Sequence, residues 1–350
     1  MSSTVSARLP TVLEPNPDWL TALLGVRLPA EGDSVVAHGR KMIMARGILR
    51  AHEIVSAAQS QTRDAFSFKW AKRDTFEGAV VDHVRSWALQ RYGDVVREPW
   101  FAPAGDKPIL LDAGCGAGLT AMALFAGAFD RIRYLGVDLS DAVDVARTRF
   151  AEHGLPGAFL QADLNDLPLP ENAVDFVFSE GVLHHTDDTE RALARVYRHL
   201  KPGGRIMFYV YRRKGPIREF TDDYIREKLQ AMTPDEGWQA LMPLTKLGKA
   251  LGDLNLQIDV PEPIDLLEIP AGRIDLQRLF YWHVFKAFYR PELSLQEMNN
   301  FNFDWYAPKN AHRHSLEEVR AWCARLSLVI ERERVEEAGM TIIAQKRASA

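Results

Sequence analysis

The sequence predicts an α/β fold with a mostly parallel sheet of seven strands, helices on both faces of the sheet and an antiparallel hairpin at the C-terminus. Three observations support this prediction. From residue 107, short apolar runs alternate with helical patterns, as a parallel sheet with crossover helices requires. A long helical stretch then occupies 213–310. Finally, two strand-like runs flank Gly339 as the two arms of a hairpin.

The individual elements follow from local patterns. Five apolar runs predict the parallel strands in chain order: PILLD, RYLGVD, AFLQAD, VDFVFSE and RIMFYVY. The hairpin strands are LSLVIERERV and MTIIAQKR. Capping boxes predict three helix starts, at Thr233 with Glu236, Ser294 with Glu297, and Ser315 with Glu318.

These elements divide the chain into four parts. We expect a helical N-terminal cap over 1–104, a sheet core over 105–212, a helical insertion over 213–310, and a C-terminal helix with two strands over 311–350 that complete the core sheet. The insertion leaves the sheet at its carboxyl edge, where ligands of such sheets bind. It is therefore expected to form a lid over a substrate.

Composition narrows the class of protein. No apolar run approaches the ~18 residues that cross a membrane, and the polar N-terminus is unlike a signal peptide, so we expect a cytoplasmic protein. With two cysteines, Cys115 and Cys323, neither a disulfide framework nor a Cys-rich zinc site is expected, and no metal is predicted. The net charge of −4 argues against a nucleic-acid partner. The basic stretch Arg40–Arg73 is a local exception and reads either as solvated helix faces or as an RNA-binding surface.

The loop DAGCGAGLT, residues 112–120, follows the first parallel strand and departs from a dinucleotide loop. A G-x-G-x-x-G loop meets a pyrophosphate, but here the third glycine, Gly118, comes one residue early. Asp112 precedes the first glycine, and its carboxylate would repel a pyrophosphate while suiting a cationic group. This disfavours a nicotinamide dehydrogenase.

Two further acids end the next two strands. Asp138 is placed to accept hydrogen bonds from both hydroxyls of a ribose. Asp163 can accept from an adenine amino group, and Leu164 can cover the ring. Since the carboxyl ends of parallel strands meet at one edge of the sheet, the three acids predict a nucleoside-type site there.

The runs LLDAGCGAGLTA, GVDLS, QADLNDLPLPENAVDFVFSEGVLHH and LKPGGRIMFYVY together resemble the class I S-adenosylmethionine-dependent methyltransferases. The resemblance implies a Rossmann-like core and S-adenosylmethionine as cofactor. It implies that the glycine loop holds the methionine part, with Asp112 at its ammonium, Asp138 at the ribose and Asp163 at the adenine. The cofactor-binding residues so implied are Asp112, Gly114, Cys115, Gly116, Gly118, Asp138, Leu139, Asp163, Leu164, Ser179, Glu180 and Gly181.

The flanks resemble, more distantly, a group of bacterial methyltransferases. The resemblance lies in an F-x-F-x-W segment, here Phe66, Phe68 and Trp70, and in the downstream run NFDWYAP. Some members of that group carry a Cys-rich N-terminal domain, for which this sequence has no cysteines. We expect Trp70 to lie in a lid over the cofactor.

Candidates for chemistry and for substrate binding stand at the expected edge of the sheet. His184 and His185 follow the fourth parallel strand and are either a base for the methyl acceptor or residues that order the turn. The candidate substrate-binding residues either form a pocket or pack as the core of the lid, and they are Trp70, Tyr281, Trp282, His283, Trp305 and Tyr306. His312, Arg313 and His314 are second-rank candidates.

The expected function is transfer of a methyl group from S-adenosylmethionine to a small molecule, with the acceptor atom (O, N, S or C) left open. Methylation of RNA is the alternative within enzymes, motivated by the basic stretch. A cofactor-binding module without turnover is the alternative outside them. A membrane partner is not expected.

Overall fold

The computed structural model describes residues 16–51, 56–101 and 105–348. The predicted N-terminal cap therefore falls partly on residues 1–15, which lie outside the described residues, as do the last two residues of the predicted C-terminal part. Within the described ranges, no helix combines the length and the apolar character needed to span a membrane.

The helices alternate with the strands through the core and dominate the insertion. The helices are α1 Asp18–Leu24, α2 Ala57–Ala71, α3 Ala79–Tyr92, α4 Leu119–Leu124, α5 Ala142–Glu152, α6 Thr189–Tyr197, α7 Pro216–Leu229, α8 Pro234–Asp253, α9 Leu276–His283, α10 Leu295–Tyr306 and α11 Leu316–Arg325. The strands are β1 Ser34–Ala37, β2 Arg40–Ala45, β3 Ile48–Ala51, β4 Ile109–Ala113, β5 Arg133–Asp138, β6 Ala158–Gln161, β7 Val174–Glu180, β8 Leu200–Tyr211, β9 Gln257–Val260, β10 Gly272–Asp275, β11 Leu328–Val335 and β12 Gly339–Lys346.

In the part of the chain that the structure describes, the main sheet is mixed and has ten strands in the order β1-β2-β3-β6-β5-β4-β7-β8-β12-β11. Strands β3, β6, β5, β4, β7 and β8 pair in parallel, and the β11–β12 hairpin adds antiparallel to β8. The prediction of seven strands was wrong because strands β1 to β3 extend the opposite edge of the sheet. The N-terminal part is thus not wholly helical.

The three additional strands are joined by two tight turns that could have been recognised. Two-residue loops, His38-Gly39 and Arg46-Gly47, connect β1 to β2 and β2 to β3. All four loop residues have positive φ, between 46° and 81°, as the hairpin turns that match strand twist require. The local signal for these strands was therefore an X-Gly pair at each end of the run RKMIMA. The basic residues of the stretch instead suggested the solvated faces of helices.

Side-chain alternation along the strands divides the core between the two faces of the sheet. Leu111, Leu135, Val177 and Phe208 pack on one face with apolar residues of α1, α6 and α11. Their strand neighbours, among them Leu110, Tyr134 and Phe178, pack on the other with residues of α3, α4, α5 and α10. Both faces are covered, as expected for a parallel sheet.

The insertion is mainly helical but contains one hairpin that the sequence analysis did not predict. Strands β9 and β10 pair antiparallel, with Gln257 opposite Asp275, in a separate two-stranded sheet. Each strand has only four residues, too few to show an alternation against the helical pattern around them. All three predicted capping boxes are confirmed, at the starts of α8, α10 and α11.

Arg50 attaches the additional strands to the parallel sheet. Its buried guanidinium donates to both carboxylate oxygens of Asp144 in α5, at 2.6 and 3.1 Å, and to the side-chain oxygen of Gln161 in β6 at 2.6 Å. A buried guanidinium with this many partners is a strong contact, because removing it leaves the partners unpaired and poorly hydrated.

We expect Arg50→Met to lower the free energy of unfolding by about 2–4 kcal/mol, since it leaves Gln161 Oε1 without this donor and Asp144 without its buried cationic partner. Arg46→Met is the matched control, because Arg46 also contacts Asp144, at 3.1 Å, but its side chain is 65% exposed. The control should cost about 1 kcal/mol or less. Urea unfolding of both variants checks the difference, and equal losses would contradict the anchoring role.

Candidate active site

A cavity of about 580 Å³ opens at the carboxyl edge of the parallel strands. It is bounded by the strand ends, by α2 and α3 from the N-terminal part, and by α9 and α10 from the insertion. Ten of the twelve residues implied for the cofactor line it: Asp112, Gly114, Cys115, Gly116, Asp138, Leu139, Asp163, Leu164, Glu180 and Gly181. The other two, Gly118 and Ser179, do not. The Ser179 hydroxyl is buried and donates to the Ala113 carbonyl at 2.9 Å.

Asp112 is a buried carboxyl with one oxygen in use. The Tyr134 hydroxyl donates to Oδ2 at 2.6 Å, and no donor within the described residues reaches Oδ1. Burial raises the pKa of Asp112 to about 7, and the nearby carboxylates of Asp138 and Glu180 add to the rise. A cation in the cavity beside Oδ1 would stabilise the charged form of this group.

Asp138 fixes the glycine loop. Its Oδ2 accepts from the Gly116 N–H at 2.8 Å, and its Oδ1 accepts from the N–H and the hydroxyl of Ser140 at 2.8 and 2.6 Å. Burial raises the pKa of Asp138, while these donors oppose the rise. Gly114 has a φ of 86°, and a Cβ placed there would meet Val182 at 2.2 Å, so only glycine fits.

The remaining acids of the edge differ in their surroundings. Asp163 Oδ1 accepts from the backbone and side-chain nitrogens of Asn165, at 2.8 and 3.0 Å. Glu180 is held by Arg91 at 2.6 Å and by the Tyr92 hydroxyl. Glu180 is therefore already neutralised by protein groups, whereas Asp112 has no cationic partner within 4 Å among the described residues.

Helix α2 covers the glycine loop. The indole of Trp70 lies so close to Gly116 that a Cβ there would be 3.0 Å from the ring. The Lys69 ammonium stands 3.9 Å from the centre of the same ring and pairs with Asp304 of α10. The α2 lid is thus joined to the insertion across the cavity.

The two adjacent histidines occupy different environments. His185 lines the cavity, and its Nδ1 lies 2.5 Å from the Asn310 carbonyl. A carbonyl only accepts, so Nδ1 carries the proton and Nε2 keeps a lone pair, which has no partner among the described residues. Burial lowers the pKa of His185 to about 4, which keeps the ring neutral at pH 7.

His184 is fully buried and does not line the cavity. Its ring centre lies 3.7 Å from that of Tyr211, and burial lowers its pKa well below the usual value. This is the environment of a packing residue, so geometry distinguishes two histidines that the sequence could not.

The predicted substrate residues are likewise divided. Trp70, Tyr281, Trp282 and Trp305 line the cavity, whereas His283 and Tyr306 do not. The Tyr306 hydroxyl donates to Asp222 at 2.9 Å and accepts from the Lys286 N–H at 2.8 Å. His312, Arg313 and His314 also lie outside the lining.

Several charged residues of the cavity were missed by the sequence analysis. Asp304 accepts from Lys69 and from the Tyr211 hydroxyl; burial favours a higher pKa, but Lys69 and Lys286 hold the pKa of Asp304 below its usual value. Asp304 is the Asp of the run NFDWYAP, in which the aromatic residues suggested a substrate pocket and the single acid gave no separate signal. The other missed cavity residues with charge include the cations Arg91, Lys214, Arg218, Arg278, Lys286 and Arg290 and the acids Glu336 and Glu337. No cluster of three or more potential metal ligands occurs in the described part of the chain.

Comparisons with known proteins agree with this geometry. The chain is 35% identical to malonyl-[acyl-carrier protein] O-methyltransferase of Serratia marcescens, over 52% of this chain and 66% of that protein. It is 29% identical to the ubiquinone/menaquinone biosynthesis C-methyltransferase UbiE of Psychromonas ingrahamii, over 34% of this chain and 49% of that protein. The chain therefore spans less than two thirds of either relative.

Among solved structures, a SAM-dependent methyltransferase from Aquifex aeolicus aligns with 76% of this chain and 98% of its own, at 14% identity and a TM-score of 0.39. Residues 111–208, which include the glycine loop and the acids at the strand ends, match the family model described as a methyltransferase domain. Residues 111–208 of this chain are therefore similar to a methyltransferase domain.

Proposed function

We propose that this chain transfers a methyl group from S-adenosylmethionine to a small-molecule acceptor inside the lidded cavity. One observation supports this above the others: a single cavity runs from the acids at the strand ends to the aromatic residues of the insertion. Cofactor and acceptor would then meet in one enclosed space. A cavity of about 580 Å³ is within the range that small molecules occupy.

The residues at the strand ends fit the cofactor. Asp112, whose Oδ1 has no donor among the described residues, would bind the ammonium of the methionine part, and the Gly114–Gly118 backbone would lie along it. Asp138 would accept from the ribose, and Asp163 with Leu164 would bind the adenine. When bound, S-adenosylmethionine supplies a methyl group on a positively charged sulfur.

The protein's part in the reaction is to align the acceptor, exclude water and, where the acceptor carries a proton, remove it. The α2 lid and α10 enclose the space, joined by Lys69 and Asp304. His185 lines that space, and its buried Nε2, which has no partner among the described residues, is the proposed proton acceptor. The proton of an acceptor O–H or N–H would pass to Nε2 as the acceptor's electron pair forms the new bond to carbon.

The ion pairs formed by the basic stretch Arg40–Arg73 favour a small-molecule acceptor over RNA. Its charges are largely taken up by the protein itself, in ion pairs between Arg40 and Asp166, Arg46 and Asp144, Arg50 and Asp144, Arg63 and Asp64, Lys69 and Asp304, and Arg73 and Glu152. Binding to phosphate backbones needs cationic groups that are free to replace counterions. The two relatives named above are, by their names, an O-methyltransferase of malonyl-[acyl-carrier protein] and a C-methyltransferase of ubiquinone/menaquinone biosynthesis, which gives no single acceptor class.

The decisive test is a methylated product formed from methyl-labelled S-adenosylmethionine and a panel of small organic acceptors. A small-molecule methyltransferase gives a labelled product of low mass. Cofactor binding by calorimetry with no labelled product from any acceptor class would favour the module without turnover, and label recovered only in RNA would favour the RNA alternative.

For the lid, we expect Trp70→Ala to raise the Kd for S-adenosylmethionine about tenfold, because the indole that covers the loop at Gly116 is lost. Titration calorimetry measures the change. The matched control is Trp282→Ala, which removes an indole from the acceptor side and should leave this Kd within about twofold. Equal cofactor affinity in wild type and Trp70→Ala would contradict the lid role.

For the histidines, we expect His185→Asn to lower kcat by about 10²- to 10⁴-fold with an acceptor that must lose a proton, since Nε2 is removed from the cavity. His184→Asn, outside the cavity, should leave kcat within a few fold, and neither change should alter the cofactor Kd. Because burial lowers the pKa of His185 to about 4, its basic form predominates at neutral pH, so protonation of His185 itself should lower the rate only as the pH approaches 4. Unchanged turnover in both variants argues against a protein base.

A further inference from the structure

The acceptor side of the cavity holds more positive charge than the protein neutralises. We define the acceptor lobe as the part of the cavity lined by Arg278, Tyr281, Lys286, Phe288 and Arg290. None of its three cationic side chains has a carboxylate within 4 Å among the described residues, whereas Arg91, Arg218 and Lys69 elsewhere in the cavity each have one. The lobe therefore presents charge that lacks a counterion from the protein.

Lys286 is the most enclosed of the three. The residue is only 7% exposed, yet its side chain reaches the cavity, and its ammonium has no hydrogen-bond acceptor in the described part of the chain. The ammonium lies over the Trp305 ring, with Nζ 4.8 Å from the ring centre. Burial lowers the pKa of Lys286 to about 7, and Asp304 limits the fall. A desolvated ammonium without a partner is unfavourable, and an anion in the cavity would supply the partner.

Two guanidinium groups border the outer part of the lobe. Arg278 donates to the Tyr289 carbonyl at 3.0 Å, and its Cζ lies 5.2 Å from the centre of the Tyr281 ring. Burial lowers the pKa of Arg278, and the like charge of Arg290 lowers it further, so the two groups act on one region. Asp275 opposes this only weakly, and its Oδ1 is used to cap α9.

Carboxylates elsewhere on the cavity wall do not neutralise the lobe. Glu180 and Glu336 both pair with Arg91, at 2.6 and 3.0 Å. Asp304 forms its ion pair with Lys69, so the charge that it also exerts on Lys286 is shared between two cations. Glu337 is an exposed residue at the rim. Apart from this rim residue, the carboxylates of the cavity that have no cationic partner among the described residues, such as Asp112, lie on the cofactor side, and the acceptor lobe is positive.

We propose that the methyl acceptor is an organic anion, with a carboxylate or phosphate that binds Lys286 and a flat apolar body that lies against the aromatic side chains of the lobe. Arg278 and Arg290 attract the same charge at the outer end. Phe288 stacks on Phe301 with ring centres 4.3 Å apart, which gives the apolar body a flat wall. This proposal rests on the proposed function, and it excludes the cationic acceptor that an aromatic pocket alone would also accommodate.

The test uses small probes that differ only in charge: benzoate and phenyl phosphate as anions, and benzamide as the neutral match for benzoate. Binding is measured by calorimetry on the full chain with S-adenosylhomocysteine present. We expect at least one anion to bind about tenfold or more tightly than benzamide, because a charged partner adds a strong hydrogen bond to Lys286. The preference between benzoate and phenyl phosphate identifies the anion as carboxylate or phosphate.

Lys286→Met should weaken binding of the preferred anion about 10- to 100-fold and leave benzamide binding unchanged. Lys246→Met is the matched control, since Lys246 is exposed and outside the cavity, and it should change neither. Arg290→Gln should weaken anion binding about threefold. Because Arg290 is exposed, this variant should fold, and it tests the proposal even if Lys286→Met unfolds.

Three results overturn the proposal: benzamide binding as tightly as the anions, undiminished anion binding in both cavity variants, or no binding of either anion at millimolar concentration. The proposed function is tested separately, by cofactor binding and labelled product. A chain that binds S-adenosylmethionine and methylates only neutral acceptors refutes the anion proposal alone. A chain that binds benzoate through Lys286 but neither binds cofactor nor forms product refutes the function instead.

Discussion

The ion pair between Lys69 and Asp304 is the contact on which the enclosed site depends. It joins α2 to α10 through two residues that are 235 positions apart in the chain, and both helices line the cavity. The Tyr211 hydroxyl, at the end of β8, also donates to Asp304, so the lid, the sheet and the insertion meet at one carboxylate. Because this pair is largely buried, it is poorly screened by solvent, and loss of one partner would leave an unpaired charge in the cavity.

A second buried pair joins helices of the insertion to one another. Arg218 of α7 donates to Asp222 one turn later and to the Tyr281 carbonyl of α9. Asp222 also accepts from the Trp305 indole and the Tyr306 hydroxyl of α10, at 2.8 and 2.9 Å. The Arg218 guanidinium and the Asp222 carboxylate thus hold α7, α9 and α10 together through hydrogen bonds to other groups of the protein. The aromatic residues of α10 are therefore divided between this network and the cavity, which explains why Trp305 lines the cavity and Tyr306 does not.

The sequence was sufficient for the parts of the molecule that depend on local patterns. Apolar runs separated by helical patterns located β4 to β8. Acids at the ends of three of those strands located Asp112, Asp138 and Asp163, because parallel strands bring their carboxyl ends to one edge. The strands β1 to β3 were missed because they pair over long range through β3 and β6, and only their two X-Gly turns were local signals. His184 and His185 were indistinguishable for a related reason. Which of two neighbours faces a cavity is decided by packing against Tyr211 and Asn310, more than twenty residues away along the chain.

The charge of the acceptor lobe shows most clearly what a sequence does not reveal. Lys286 and Arg290 stand in the run FKAFYR, which has the composition of an ordinary half-exposed segment, and the chain as a whole is negative, at −4. Their chemistry follows from what is absent around them: among the described residues no carboxylate lies within salt-bridge distance, although most arginines of the basic stretch near the N-terminus have one. A methionine would fill the position of Lys286 without the cost of desolvating an ammonium. A buried cation that lowers stability and faces a ligand cavity is therefore better explained by the ligand's charge than by the fold.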